Sequence, residues 1–453
     1  MKKLLALLLA VVMVLGLAAC SSSSSTSTAT TETATTETAA PAAAETPAAA
    51  EEPAAEEPAA AEASGLKIGV ILLHDESIGY DYAHMQGIQT ACQSLGIDPN
   101  NADQVVWKYN IGEDEGCYDA AVDLAEHGCN LIISDSYGHQ SYMTQAAEEF
   151  PDVTFLIATG DTAAVDNCEN TRNFFTHTYE SRYVSGVVAG MKLAEMVESG
   201  VLTDSNYNDD GTIKIGYVGA YPYAEVVSGY TAFYLGVKSI VDNVAMDVTY
   251  TNSWADATAE QQAAEALLAR GCCIISQHAD STGGPAAIEA AIANGAVCYY
   301  VGYNIDMLTV APTAILTSAQ NNWSVYYTYA IDLANQGKAD EIATDWSDGY
   351  AEGANMISAL GSSCAAGTAE KVAEVEAGIS DGSLKVFDTA SFTMGGETVT
   401  TYTFNSSTMN SDYTAVLYEG ADYECIVDGA FAESVFRSAP YFDLRIDGIT
   451  ELS

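Results

Sequence analysis

The stretch KIGVILLHDESIGYDYAHMQG, residues 67–87, decides the fold of this chain of 453 residues. Its first half is a short apolar run bounded by polar residues, which is typical of a buried strand in a parallel sheet. Such a strand often leads into a glycine-rich turn that binds phosphate, but here two tyrosines, an aspartate, a histidine and a methionine follow. The stretch therefore predicts a strand and then a helix, with aromatic rings and a carboxylate where the two meet.

The rest of the chain repeats this strand–helix alternation in two successive series. Apolar β-branched runs alternate with longer helical patterns from about residue 66 to 198, and again after the polar stretch 199–212. This alternation is typical of βαβ units and a parallel sheet. We therefore predict an α/β protein with two doubly wound lobes. Ligands of such sheets bind beyond the carboxyl ends of the strands, and pockets favour domain interfaces.

Polar and aromatic residues recur directly after the predicted strands of both series. In the first series the candidate ligand-binding residues are Tyr80, Asp81, His84 and Asp135. In the second series they are Trp254, Asp256, Gln277, His278, Asp280, Asn304 and Asp306. The strand ends also carry His74, Tyr137 and Tyr303. Two rings from opposing lobes would sandwich a planar heterocycle, and stacking of a base on an aromatic ring contributes about 1–3 kcal/mol.

Each candidate also has a purely structural interpretation. Single aromatic residues such as Tyr80 and Trp254 usually close the top of a core. Asp256 precedes ATAEQQAAEALLA and fits a helix N-cap, and His84 lies in a helical stretch where it would only pack. The recurrence of rings, amides and carboxyl groups at one end of both lobes nevertheless favours a flat, uncharged ligand that forms hydrogen bonds.

The N-terminal region predicts export and anchoring. Residues 1–20, MKKLLALLLAVVMVLGLAAC, have the charged start, apolar run and small residues of a secretory signal peptide. A transmembrane helix fits less well because the apolar run is shorter than the roughly 20 residues that a span needs. The ending resembles the lipobox of bacterial lipoproteins, in which Cys20 is acylated. Residues 21–65 contain no aromatic, basic, Val, Ile or Leu residue, which predicts a disordered tether.

Charge and the absence of motifs exclude several classes of function. The chain has 15 Lys and Arg against 62 Asp and Glu, a net charge of −47. Such acidity opposes nucleic acid and other polyanions as partners, although it is equally explained as a solubility trait. The sequence has no C-x-x-C, H-E-x-x-H, G-x-S-x-G or P-loop, so we expect no metal, no cofactor and no enzymatic activity.

Several longer stretches follow one another in a familiar order. They include GYDYAHMQG (79–87), HTYESRYVSGVVAG (177–190), TNSWADATAE (251–260), SQHADS (276–281) and VGYNIDM (301–307). Together they resemble the basic membrane protein (BMP) family of lipoproteins, whose best-known members are purine nucleoside receptors similar to PnrA. The resemblance runs from about residue 66 to about 395, and the tail from about 396 to 453 is less familiar.

The resemblance implies a type I periplasmic-binding-protein fold, with two lobes joined by a hinge and a ligand cleft between them. The N-terminal lobe would comprise 66–179 and about 312–342, and the C-terminal lobe 180–311 and about 343–453. Such proteins deliver their ligand to the permease and ATPase of an ABC importer. The protein would be held on the extracytoplasmic face of the cell membrane by its lipid anchor.

The resemblance also implies roles for individual residues. Tyr80 and Trp254 would clamp a purine, and Gln277, His278 and Asp306 would also line the cleft. Nucleoside-binding members have a lysine near the ribose, whereas this chain reads SAQNNW at 318–323. A nucleobase is therefore as good a candidate as a nucleoside. A non-purine polar solute and a ligand-sensing signalling lipoprotein are the alternatives.

Overall fold

The computed structural model describes residues 65–409 and 415–452. The predicted signal peptide at 1–20, its Cys20 and all but the last residue of the tether at 21–65 lie outside the described residues. The nine helices in the described part are α1 (Gly79–Ser94), α2 (Glu115–Glu126), α3 (Gln140–Glu149), α4 (Thr178–Ser199), α5 (Ala224–Lys238), α6 (Ala257–Ala269), α7 (Gly283–Ala293), α8 (Ser324–Asn335) and α9 (Thr368–Ser380). In this part of the chain, no helix has the length and apolar character that a membrane span requires.

The strands of the described residues fall into two large sheets and three two-stranded antiparallel pairs. They are β1 (Ile68–Ile71), β2 (Val105–Lys108), β3 (Leu131–Ser134), β4 (Thr154–Ala158), β5 (Thr171–Phe174), β6 (Ile213–Gly219), β7 (Val244–Tyr250), β8 (Ile274–Gln277), β9 (Tyr299–Tyr303), β10 (Ile315–Asn321), β11 (Asp345–Trp346), β12 (Asn355–Ile357), β13 (Thr403–Asn405), β14 (Thr408–Met409), β15 (Val416–Tyr418), β16 (Asp422–Glu424), β17 (Ile426–Val427), β18 (Ala430–Phe431) and β19 (Ile449–Glu451).

The first sheet has the order β2-β1-β3-β4-β5-β11, and all its strands are parallel. Helices cover both faces, so β1 is buried along its whole length, which explains why it is apolar without alternation. Val70 belongs to the core under α1 and α8, whereas Ile71 belongs to the core under α2 and α3. We call this sheet with α1–α3 and α8 the first lobe.

The second sheet has the order β19-β7-β6-β8-β9-β10-β12. Its strands are parallel except β12, which runs antiparallel to β10. Strands β6–β10 repeat the order that β1–β5 have in the first sheet, so each sheet has a switch point between its first and third strands. We call this sheet with α4–α7 and α9 the second lobe. The predicted α/β fold with two doubly wound sheets is confirmed.

The chain passes between the sheets three times, after β5, after β10 and after β11. Strand β10 extends the second sheet beside β9, whereas α8 buries Tyr326, Tyr327 and Ile331 in the core of the first lobe. The return to the first lobe therefore comes after Asn321, later than the residue near 312 expected from the sequence. The physical reason is that the run ILTSAQN forms β10, which pairs with β9 in the second sheet. Only after this strand does the chain reach α8, whose apolar face packs on the first sheet.

Buried polar side chains connect the three crossing segments. The Asn321 Oδ1 atom accepts hydrogen bonds from Thr176 Oγ1 at 2.8 Å, Thr178 Oγ1 at 2.9 Å and Asn355 Nδ2 at 3.1 Å. All four residues are buried. One amide oxygen thus ties together the segments that leave β5, β10 and β11.

The described parts of the C-terminal segment, residues 384–409 and 415–452, pack on the second lobe. Phe387, Phe431 and Phe442 join the core that contains α4 and α5, and the Phe387 and Phe442 rings stack at 4.2 Å. Ile449–Glu451, near the end of the less familiar tail, form β19 at the edge of the second sheet beside β7. There the Glu451 carboxylate accepts hydrogen bonds from Tyr230 and Tyr250, both at 2.7 Å. The described residues fall within one compact unit.

Candidate functional site

The carboxyl ends of the two sheets meet at a cavity between the lobes. Its volume is ≈ 50 Å³, which holds roughly four water molecules at about 10–15 Å³ each and so suits one small ring system. It is lined by Leu73, His74, Tyr80, Asp81, Asp135, Ser136, Tyr137, Thr159, Glu225, Trp254, His278, Asp280 and Tyr303. Most of these residues follow β1 and β3 in one sheet and β6 and β8 in the other, so the cavity lies where both switch points open. Thr159 follows β4, Trp254 follows β7, and Tyr303 ends β9.

The lobes touch beside this cavity. The Gly79 N–H, at the start of α1, points to the Asp280 carbonyl oxygen at 3.4 Å. A Cβ atom at position 79 would lie 3.2 Å from that oxygen and 3.6 Å from Asn304 Cβ. Glycine at position 79 therefore allows the N-terminus of α1 to approach the second lobe closely.

The carboxyl groups of Asp81 and Asp135 line the first-lobe side of the cavity. Asp81 is buried in the first turn of α1, where its Oδ1 atom accepts the His74 N–H at 2.5 Å and its Oδ2 lies 3.2 Å from His74 Nδ1. This contact with Asp81 raises the pKa of His74 despite partial burial. Asp135 accepts the Leu73 N–H at 3.0 Å. Burial first, and then the neighbouring Asp81 carboxyl, raise the pKa of Asp135 well above its usual value.

Tyr80 is held in place by the strand end beside it. Its hydroxyl donates to the backbone carbonyl oxygen of Asp135 at 2.8 Å. Its ring packs edge-on against His84, with centroids 4.5 Å apart. The free face of such a ring would contact a flat ligand, and the hydrogen bond fixes the angle at which it does so.

Trp254 contributes the second-lobe ring. It is half-buried and packs edge-on against Tyr221, with ring centroids 5.4 Å apart. Tyr221 in turn stacks on Tyr223 at 5.1 Å. Tyr80 and Trp254 thus line the same cavity from opposite lobes.

His278 and its partner Glu225 close the cavity on the side of the second sheet. His278 Nε2 lies 2.9 Å from the Glu225 carboxylate, and its Nδ1 lies 3.3 Å from the Tyr217 hydroxyl. Burial, together with the charge of Arg182, lowers the pKa of His278 to about 4. A neutral His278 that donates Nε2–H to Glu225 is the arrangement that these contacts favour.

Asp280 is fixed by an amide from the next strand end. Asn304 Nδ2 donates to Asp280 Oδ1 at 2.6 Å. Burial raises the pKa of Asp280 well above its usual value, and the nearby Glu260 carboxylate adds to this shift. Burial disfavours the ionised form of this carboxyl group, so a ligand that brings N–H donors or positive charge close to it would stabilise that form.

Tyr303 lies over a buried arginine. The Arg182 guanidinium carbon is 3.4 Å from the centroid of the Tyr303 ring, and Arg182 Nη1 donates to the Gln277 backbone oxygen at 2.6 Å. The Tyr303 hydroxyl is buried and has no hydrogen-bond partner within the described residues. Because unpartnered buried hydroxyls are costly, this one is suited to bond to a ligand.

The structure brings six of the eleven candidates to the cavity and leaves five away from it. The six are Tyr80, Asp81, Asp135, Trp254, His278 and Asp280. His84 lies behind Tyr80, stacked on Trp323 at 4.2 Å and 2.6 Å from the Tyr327 hydroxyl. Burial lowers its pKa to about 3, so it is a neutral core histidine.

The other four have local structural roles. Asp256 caps α6 by accepting the N–H groups of Thr258 and Ala259 at 3.0 and 2.9 Å. Gln277 donates its amide to the Ser281 carbonyl at 2.9 Å and so holds the loop after β8. Asn304 positions Asp280, and exposed Asp306 accepts the Leu308 N–H at 2.9 Å. Asn304 and Asp306 line a separate hollow between the lobes.

Several residues that line the cavity are not among the eleven candidates. His74, Tyr137 and Tyr303 lie at predicted strand ends, but no sequence pattern distinguished them from neighbouring residues. Glu225 follows β6 by six residues at the start of α5, so the rule of strand ends points to its region. Thr159 has a positive φ of 58°, which no local pattern reveals.

A larger chamber opens from the cavity. It measures ≈ 520 Å³ and shares Tyr137, Thr159, Glu225 and Trp254 with the cavity. Its remaining walls include Glu113, Asp161 and Tyr221, together with two pieces of the C-terminal segment, 404–409 and 437–440. We call the smaller space the inner cavity and the larger one the outer chamber. Neither they nor other described residues form a cluster of His, Cys, Asp and Glu that could hold a metal ion.

Comparisons with known proteins identify the family to which the chain belongs. Residues 72–354 match the family described as ABC transporter substrate-binding protein PnrA-like. A purine-binding protein from Brucella abortus is 32% identical over 263 residues, which cover 58% of this chain and 67% of that protein. A putative ABC transporter glucose-binding protein from Haloferax volcanii is 27% identical over 324 residues, covering 70% of this chain and 72% of that protein.

Solved structures are similar in fold at low sequence identity. An ABC transporter solute-binding protein from Aeropyrum pernix K1 has a TM-score of 0.56 and 18% identity, covering 71% of this chain and 93% of that one. A transcriptional activator of the comK gene from Bacillus halodurans has a TM-score of 0.54 and 18% identity, covering 70% and 99%. At this identity the likeness concerns the fold alone.

Proposed function

Because this chain belongs to the PnrA-like family of ABC transporter substrate-binding proteins, we propose that it captures a purine nucleobase or nucleoside and delivers it to the permease and ATPase of an importer. Solute-binding proteins of such importers work outside the cytoplasm. One observation carries the ligand assignment. Tyr80 and Trp254, from different lobes, line a single inner cavity whose walls also carry buried carboxyl groups.

The chemistry of the inner cavity favours a flat ligand rich in N–H donors. Aromatic rings stack on the π-faces of bases, and carboxyl groups accept from the N–H groups at a base edge. The raised pKa values of Asp135 and Asp280 add a second capacity. A protonated carboxyl group can donate to a ring nitrogen as well as accept from an amino group.

Electrostatics argue against nucleotides. The inner cavity is lined by the carboxyl groups of Asp81, Asp135, Asp280 and Glu225, whereas its basic side chains are two histidines. A phosphate would enter an acidic, poorly solvated site without an arginine or lysine among the described lining residues. The purine-binding relative supports the same choice of ligand class.

The sequence before the described residues supports a membrane anchor. A signal peptide that ends at an acylated Cys20, followed by the Ala-, Thr- and Glu-rich stretch 21–65, would hold the binding lobes near the permease. Incorporation of radiolabelled palmitate into the wild-type protein, and its loss in Cys20→Ser, is the expected result. A labelled Cys20→Ser variant would contradict this assignment.

Sugar capture is the second candidate, because the Haloferax volcanii relative is described as glucose-binding. Isothermal titration calorimetry separates the two. The purified protein is unfolded and refolded to remove bound ligand, and then titrated with purine and pyrimidine bases, nucleosides, nucleotides and hexoses. Binding of purines without nucleotides supports the proposal. Binding of hexoses alone, or of no purine, would contradict it.

A further inference from the structure

The C-terminal segment is anchored on the second lobe. It lies beyond the family match, which ends at residue 354. The rings of Phe404 and Tyr441 stack with centroids 4.3 Å apart, and both belong to the core that contains α4 and α5. Near the end of the segment, β19 extends the second sheet beside β7. Any movement of the second lobe would therefore carry this segment with it.

The same segment contacts the first lobe at three points. Arg437 Nη1 forms an ion pair with Asp161 Oδ2 at 2.9 Å. Thr408 Oγ1 donates to the Asp161 carbonyl oxygen at 3.0 Å, and the Ser438 N–H donates to Asp345 Oδ2 at 3.0 Å. Asp161 follows β4 and Asp345 begins β11, which are both strands of the first sheet. The segment thus joins the lobes by noncovalent contacts, in addition to the three crossings of the chain.

Arg437 is oriented by its own segment. Its Nε donates to the Ala439 carbonyl oxygen at 3.1 Å, and its guanidinium carbon lies 4.8 Å from the centroid of the Phe404 ring. The ion pair with Asp161 is mostly buried, since 17% of the Arg437 side chain and 6% of the Asp161 side chain are exposed. Water and salt screen such a pair less than a surface pair. It therefore holds the touching lobes together more strongly than a surface ion pair would.

These contacts lie beside the opening of the cleft. Asp161 and Arg437 both line the outer chamber, which opens from the inner cavity. Movement of the lobes away from each other at this chamber would separate Asp161 from both Arg437 and Thr408. The chain crossings around Asn321 stay joined in such a movement, because they are covalent and serve as the hinge. The contacts of the C-terminal segment, in contrast, have to break before the cleft can open.

We propose that the C-terminal segment is a strap that keeps the two lobes closed in the absence of ligand, and that the Arg437–Asp161 ion pair is its latch. A protein that is already closed uses less of its binding free energy to close around a ligand. The strap also slows entry and exit of the ligand, because the cleft has to open for both steps. The segment thereby sets how long the protein retains its ligand.

The distance between the lobes in the ligand-free, full-length protein tests the strap, whichever ligand the protein binds. Nitroxide labels are attached to p-acetylphenylalanine introduced at Asp119 of α2 and at Gln262 of α6, two exposed helical positions on different lobes. This chemistry leaves the native cysteines unlabelled. The protein is unfolded and refolded to remove bound ligand, and double electron–electron resonance then gives the distribution of distances between the labels.

Two variants remove the latch from opposite lobes. Arg437→Gln removes its cation, and Asp161→Asn removes its anion without changing the C-terminal segment. We expect the ligand-free wild type to show one short distance. Both variants should show a second, longer distance, with the ratio of open to closed molecules raised about tenfold, as one lost hydrogen bond between charged groups requires. Adding Thr408→Val to Arg437→Gln should raise that ratio further.

Arg445→Gln is the matched control. Arg445 belongs to the same segment but pairs with Asp443 and Glu451 within the second lobe, so this variant should match the wild type. The strap would be overturned by a wild-type distribution in both latch variants, or by a long distance as abundant in the wild type as in those variants. Thermal unfolding is measured on every variant, and Asp161→Asn decides the result if Arg437→Gln is unstable.

Discussion

Trp254 is half-buried and packs against Tyr221 at the mouth of the inner cavity. We expect Trp254→Ala to weaken purine binding roughly 10- to 100-fold, because one stacking face is worth about 1–3 kcal/mol. Calorimetry measures the affinity. Trp107→Ala is the matched control, because Trp107 stacks on Tyr109 near the edge of the first sheet, away from the cavity. Unchanged affinity in Trp254→Ala would rule out the stacking arrangement.

Removal of the Tyr303 hydroxyl distinguishes an effect on ligand binding from an effect on stability. Its hydroxyl has no partner among the described residues, so Tyr303→Phe should leave the free energy of unfolding unchanged within about 0.5 kcal/mol. If the hydroxyl bonds to the ligand, purine affinity should fall about tenfold. Urea denaturation and calorimetry on the same preparation report the two quantities.

Tyr80→Phe provides the contrast for that measurement. The Tyr80 hydroxyl donates to the Asp135 carbonyl at 2.8 Å, so its removal should lower the free energy of unfolding by about 1 kcal/mol. A loss of stability in Tyr303→Phe as large as in Tyr80→Phe would mean that the Tyr303 hydroxyl has a structural bond after all.

At the scale of elements, the three crossing segments depend on Asn321. Its Oδ1 atom accepts from Thr176, Thr178 and Asn355 in a buried cluster. Asn321→Ala leaves these donors without their shared acceptor, so we expect the free energy of unfolding to fall by about 2–3 kcal/mol. Asn294→Ala removes one exposed hydrogen bond from the Asn294 side-chain amide to the Ala290 carbonyl. It should lower the free energy of unfolding much less in the same denaturation experiment.

The same cluster bears on lobe movement. Ligand-driven closure of two-lobed proteins concentrates the backbone change in a few connecting residues, and the segments around Asn321 are those connections here. Small-angle X-ray scattering with and without purine should show a larger change in radius of gyration for Asn321→Ala than for the wild type. An identical change would mean that the cluster supports stability without restraining the lobes.

At the scale of the whole molecule, buried acids make stability depend on pH. Burial raises the pKa of Glu433 from 4.5 to about 8, although it accepts the Tyr441 N–H at 3.1 Å and Arg437 lies nearby. The folded state therefore keeps a proton that the unfolded chain loses. Stability is greatest below about pH 4.5 for this group, and it falls as pH rises towards 8, by at most about 1.4 kcal/mol per pH unit.

Glu433→Gln tests this linkage. We expect urea denaturation between pH 5 and 8 to show a shallower fall in the free energy of unfolding for Glu433→Gln than for the wild type. Asp135 and Asp280 act in the same direction in both proteins, so the difference between the two curves isolates Glu433. Glu419→Gln, an exposed change in the same segment, is the control. Parallel curves for wild type and Glu433→Gln would contradict the buried-acid explanation.

Local patterns were enough to predict the alternating elements, both doubly wound sheets and the strand ends at which the cavity lies. Those features follow from hydrophobic periodicity along short stretches and from the geometry of parallel sheets, in which the carboxyl ends of the strands share one edge. Tyr80 and Asp81 could be found in this way because they lie at the start of α1, the first helix after β1. The fit of Asp256 to an N-cap was equally visible, and capping is what Asp256 does.

Tertiary packing decided which of the strand-end side chains line the cavity. His84 and Tyr80 lie one helical turn apart on α1, yet α8 covers His84 while Tyr80 reaches the cavity. The second-sheet position of β10 depended on the open edge of β9. The outer chamber joins residues such as Asp161 and Arg437 that are 276 positions apart. Contacts of that kind depend on how the lobes and the C-terminal segment pack, and no periodicity within one stretch encodes them.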